Sequence, residues 1–61
     1  MAEMLGVLSE RQRAVMTLFY VDDLPIATIG KVLGIAPGTV KALMWKARRT
    51  LMRHLAEEEL Q

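Results

Sequence analysis

The sequence predicts an all-α fold, a small bundle of three helices, on three observations. Apolar residues recur at steps of three and four in three separate stretches. Proline or glycine stands at the junctions that follow the first and second stretches, where these residues start and stop helices. The chain has 61 residues. That length suits one small domain with a thin core and is too short for a barrel, a doubly wound sheet or a two-domain enzyme.

The first helix is expected from about residue 10 to Tyr20. Ser9 and Gln12 stand three apart as a capping box, each side chain satisfying a backbone N–H that the helix start leaves unpaired. Val15, Leu18 and Phe19 follow at helical spacing with Ala14 beside them, and Tyr20 is assigned to the core with its hydroxyl near the edge. A short helical turn is expected before this helix, over residues 2–6. Val21-Asp22-Asp23-Leu24-Pro25 is a connector, its aspartates a solvated turn. The second helix is expected from Pro25 or Ile26, with Ile26, Ile29, Val32 and Leu33 as its buried stripe. Gly34 stands where a left-handed residue stops a helix, and Ile35 supplies the apolar contact that follows such a stop. The third helix is expected from Pro37 to about Ala56, with fraying at its end. Val40, Met44, Ala47, Leu51 and Leu55 line one face of it, and His54 lies at the core edge.

Composition removes several functions. With no cysteine and one histidine, the chain offers no disulfide framework, no thiolate metal site and no histidine cluster, so neither a metal nor another cofactor is expected. A catalytic carboxylate pair at Asp22 and Asp23 would need a cleft that so short a chain hardly forms, and no enzyme is expected. No apolar run approaches the ~20 residues of a membrane span, and the N-terminus lacks the basic start of a secretion signal. A soluble, cytoplasmic domain is expected, as a piece of a longer chain.

The formal net charge is only +1, but it is unevenly spread. Residues 1–30 carry Glu3, Glu10, Asp22 and Asp23 against Arg11 and Arg13. Residues 32–56 carry Lys41, Lys46, Arg48, Arg49 and Arg53 with no acid, and Glu57, Glu58 and Glu59 follow. At about 100° per residue, the basic side chains and Trp45 fall on the arc of the third helix away from its apolar stripe. A basic strip on a helix backed by core is the pattern of a face that meets a polyanion.

The second and third helices, joined by a very short turn, read as a helix-turn-helix. Gly30 sits inside the second helix, where glycine costs about 1 kcal/mol relative to alanine, which points to a close approach by another helix. Gly34 follows four residues on and Val40 six beyond that, the spacing of DNA-reading units of this kind. The competing reading is a plain three-helix bundle with two tight turns. The coincidence of the basic arc with the helix after the turn favours the helix-turn-helix. The fold class is then homeodomain-like or winged-helix-like, without a wing.

Four stretches carry a family resemblance. Leu8-Ser9-Glu10-Arg11-Gln12-Arg13-Ala14-Val15, Tyr20-Val21-Asp22-Asp23-Leu24, Leu33-Gly34-Ile35-Ala36-Pro37-Gly38-Thr39-Val40-Lys41 and Lys46-Ala47-Arg48-Arg49 closely resemble region 4 of sigma-70 family factors of the extracytoplasmic-function group. The resemblance covers residues 7 to 55. It implies sequence-specific DNA binding at the promoter minus-35 element, docking on the beta-subunit flap of RNA polymerase core, and an anti-sigma factor as a further partner. Carried over by position, Pro37, Gly38 and Thr39 match the start of the recognition helix, where free N–H groups suit phosphates. Lys41 matches a basic position that reaches base edges, and Trp45 a commonly aromatic one. Lys46, Arg48 and Arg49 match phosphate-facing positions, and Ala42 completes the DNA-facing set.

The chain departs from that pattern in places. Ala36 and Pro25 stand where the family commonly has a Ser cap, a loss of about 1 kcal/mol at Ala36 that proline at position 37 offsets in part. Ala42 replaces a common Ser and Leu43 a common Arg, and Leu43 extends the core margin instead. A reading helix depleted of polar groups supports a second reading, a protein-docking domain that binds polymerase or an anti-sigma factor with little DNA reading. A response-regulator-type helix-turn-helix shares the Gly-Thr-Val-Lys turn but not the flanking stretches.

Overall fold

The computed structural model describes residues 6–59, which form three α-helices and no strand. They are α1 (Glu10–Tyr20), α2 (Ile26–Leu33) and α3 (Pro37–Glu59). The start of α1 is the capping box that the sequence encodes: the Gln12 N–H donates to the Ser9 hydroxyl at 3.2 Å, and the Ser9 N–H to the Gln12 side-chain carbonyl at 3.1 Å. Leu8, just before this cap, is buried in the core, a role that helical periodicity alone could not indicate. Most of the short helical turn expected over residues 2–6 lies outside the described residues.

The connector after α1 folds back on the helix it leaves. The Thr17 carbonyl accepts from the Val21 and Asp22 N–H groups, and the Leu18 carbonyl from that of Leu24. This reversal needs one left-handed residue, Asp23 at φ 57, and aspartate is among the few non-glycine residues that tolerate it. Leu24 is thereby turned inward against the core.

The core is small. Leu8, Val15, Met16, Ile29, Val40, Met44 and Ala47 are buried, and Leu18, Phe19, Leu24, Ile26, Leu33, Ile35, Leu43 and Leu51 pack around them. Three assignments made from periodicity are corrected. Val32 is 59% exposed, because the buried face of α2 centres on Ile29 and Gly30 and leaves position 32 on its flank. Leu55 is 42% exposed. Its stripe is right, but 23 residues of helix reach about 34 Å and outrun the shorter α1 and α2. Tyr20 is 56% exposed at the end of α1 and not part of the core. The backbone of α3 also stays helical past Ala56, through Glu59. No glycine or proline follows position 38 to stop it.

The α2–α3 junction sets the direction in which α3 leaves the turn. Gly34 ends α2 at φ 70, ψ 34, where only glycine is unstrained. The Gly30 carbonyl accepts from both the Gly34 N–H and, at 2.9 Å, the Ile35 N–H. The chain then starts α3 with its axis turned by 101° from that of α2. The close approach expected at Gly30 exists, but its partner is the turn rather than a crossing helix. A Cβ on Gly30 would lie 2.7 Å from the Ile35 carbonyl oxygen.

Gly30→Ala should therefore destabilise the fold by about 1–3 kcal/mol despite alanine's better helix propensity, since backbone must move to admit the methyl group. Gly38→Ala should leave stability unchanged or raise it, because a Cβ there meets nothing within 4 Å. Denaturant midpoints at constant slope check both signs. A Gly30→Ala variant more stable than the parent would refute the tight turn.

Candidate nucleic-acid interface

The third helix has two faces built on the same repeat. Val40, Met44, Ala47 and Leu51, at steps of four, three and four, form the inward row. Two further rows with the same steps, Lys41-Trp45-Arg48-Met52 and Ala42-Lys46-Arg49-Arg53, are exposed throughout. Rows with this spacing run nearly parallel to a helix axis, so burying the first fixes the other two outward. Residues 32–56 contain no carboxylate, so no acid on that stretch neutralises the exposed rows.

All nine residues that the resemblance assigns to DNA contact, Pro37, Gly38, Thr39, Lys41, Ala42, Trp45, Lys46, Arg48 and Arg49, are exposed on this one helix. At its start Pro37 has no N–H, and those of Thr39 and Val40 donate to the Ala36 carbonyl at 2.9 and 3.1 Å. The Gly38 N–H and the Thr39 hydroxyl are the donors left to this first turn. Nothing in the fold fills the space over Gly38.

Two of the arginines are held by aromatic rings. The Arg49 guanidinium lies 5.3 Å from the centre of the Trp45 ring, a cation–π pair across one helical turn. Trp45 is 59% exposed, so it props Arg49 outside the core. Arg48 reaches across to α1, where its Nε and Nη2 donate to the Tyr20 hydroxyl at 3.0 and 2.7 Å. Sequence periodicity gives no sign of this contact, because residues 20 and 48 meet only through the tertiary fold. Leu43 is half-buried against the core, so position 43 extends the packing and adds nothing to the polar surface.

A second feature lies on α1 and α2. Glu10, Arg13, Ala14, Thr17, Leu18, Val32 and Leu33 line an open groove of about 470 Å³. The exposed Val32 side chain stands at it. Among the described residues no group of three or more His, Asp or Glu side chains is placed to hold a metal ion. No single helix there is long and apolar enough to cross a membrane.

Comparison with known proteins agrees with this arrangement. Residues 1–51 match the family described as Sigma-70, region 4. The ECF RNA polymerase sigma factor SigW of Bacillus subtilis (strain 168) is 36% identical over 50 residues, which are 82% of this chain and 27% of that protein. The chain thus spans about a quarter of the length of the relative it matches. With the 101° helix-turn-helix, the exposed basic rows and the family match in place, the chain belongs to the region 4 family of sigma-70 factors, of the extracytoplasmic-function type.

Proposed function

We propose that this chain recognises promoter DNA in transcription initiation, with α3 lying in the major groove at the minus-35 element. The observation that carries the reading is the pair of exposed rows on α3, which turn five basic side chains and Trp45 away from the core along one helix. Lys41 stands near the start of the first row and reads base edges, donating to guanine O6 and N7 without the two-pronged geometry of arginine. Lys46 and Arg49, and Arg48 on the neighbouring row, meet phosphates, which hold register and orientation. The empty space over Gly38 lets a duplex backbone approach the helix start closely, a use for glycine that the fold itself does not require. The chain catalyses nothing. It supplies position, and the chemistry belongs to the polymerase.

One module of this kind buries about 600–1,000 Å² of protein surface on DNA and binds weakly alone. Useful affinity comes from a second attachment that raises effective concentration. The groove between α1 and α2 favours this second role. Its size and its apolar members Ala14, Leu18, Val32 and Leu33 suit an amphipathic helix, and it leaves α3 free. We assign it to the flap of the polymerase beta subunit, with an anti-sigma factor as a competitor for the same surface.

Titration of promoter and scrambled duplexes at several salt concentrations tests the DNA reading. Lys41→Ala should erase about 1–3 kcal/mol of preference for the promoter duplex. Lys46→Ala should weaken both duplexes alike and lower the salt slope by about one. Equal losses on both duplexes for Lys41→Ala would remove its reading role. For the groove, Val32→Lys should abolish capture of polymerase core while leaving duplex affinity intact. Capture that survives this charge would place the docking surface elsewhere.

A further inference from the structure

We propose that Tyr20 is a positioning residue for DNA binding: it holds the Arg48 guanidinium in place so that its remaining N–H donors meet a backbone phosphate. The inference rests on the DNA reading above and adds to it a residue on α1, outside the helix-turn-helix.

The geometry is a chain of supports that begins in the core. Phe19 packs on the core cluster. Its ring meets that of Tyr20 edge-on, with centres 4.9 Å apart and planes at 82°. The Tyr20 hydroxyl then accepts from Nε and Nη2 of Arg48 at 3.0 and 2.7 Å. A guanidinium has five N–H donors in a rigid plane, and this contact uses two of them. Three remain for an anion.

The choice of partner matters. A carboxylate at position 20 would hold Arg48 as firmly but would cancel its charge. A phenol is neutral, so it fixes the direction of the guanidinium and leaves the positive charge whole. Arg48 stands in the exposed row with Lys41 and Trp45, so a duplex along that row passes in front of the anchored group. A long, free arginine loses rotamer freedom when it grips a phosphate, whereas one already held by a ring loses less.

The test is a mutant cycle between Tyr20→Phe and Arg48→Ala on the 61-residue chain, titrated with a short mixed-sequence DNA duplex across a salt series. Thermal melts identify a temperature at which every variant is folded. Tyr20→Phe should weaken binding about three- to tenfold, the effect of freeing one long side chain, with the salt slope unchanged. Arg48→Ala should lower the slope by about one, and Tyr20→Phe should have no further effect in that background. Arg48→Lys, which keeps the charge and loses the planar fork, should behave like Tyr20→Phe. Unchanged binding by Tyr20→Phe, or the same loss with and without Arg48, overturns the positioning role while the DNA reading stands. So does an unchanged slope in Arg48→Ala. A tie that serves only to brace α1 against α3 would lower the melting temperature and leave the affinity cycle flat. If the parent chain fails to bind the duplex at all, the DNA reading fails and the positioning role with it.

Discussion

The backbone crowding at Gly30 is the constraint on which the rest of the molecule depends. One carbonyl there accepts two N–H groups from the turn, and the space a side chain would occupy is filled by the Ile35 carbonyl 2.7 Å away. Four residues later Gly34 takes a conformation that other residues resist. Together they turn the chain through 101° in three residues, between Leu33 and Pro37. Without so short a turn, Val40 could not be buried so soon after it, and the outward direction of Lys41 follows from the inward direction of Val40.

A fold this small has little core to spare, and it uses one helix for two purposes. The inward row of α3 supplies Val40, Met44 and Ala47, three of the seven core residues buried among those described. The outward rows of the same helix carry the charge. Packing and recognition are therefore coupled through a single rigid element: any rotation of α3 that exposed the inward row would also withdraw basic groups from the surface. The aromatic contacts tighten the coupling. Trp45 holds Arg49 within α3, and Tyr20 holds Arg48 from α1. The groove between α1 and α2 lies apart from these rows, which lets one small unit engage duplex and polymerase together in the proposed function.

Much of this was legible in the sequence where the controlling physics is local. The capping box at Ser9 and Gln12, the left-handed stop at Gly34 and the helix start at Pro37 depend on residues within a few positions of one another. The charge asymmetry is a property of composition, and its placement opposite the apolar stripe needs only the helical repeat. Errors arose where neighbours decide burial. Val32 and Leu55 have the right period for a core face and are exposed, because Val32 lies on the flank of α2 and Leu55 beyond the reach of the shorter helices. Leu8 has no helical period and is buried.

The sequence by itself determined the three helices, their caps, the helix-turn-helix and the family of this protein. These rest on hydrogen bonds and side-chain spacings that span a turn or two of chain. Only the tertiary structure decided that the contact at Gly30 is a turn carbonyl, that Tyr20 leaves the core to hold Arg48 across 28 residues of sequence, and that α1 and α2 flank an open groove. Each of these depends on the angle at which one helix meets another. That angle is set by the packing of all three elements together, and no local periodicity encodes it.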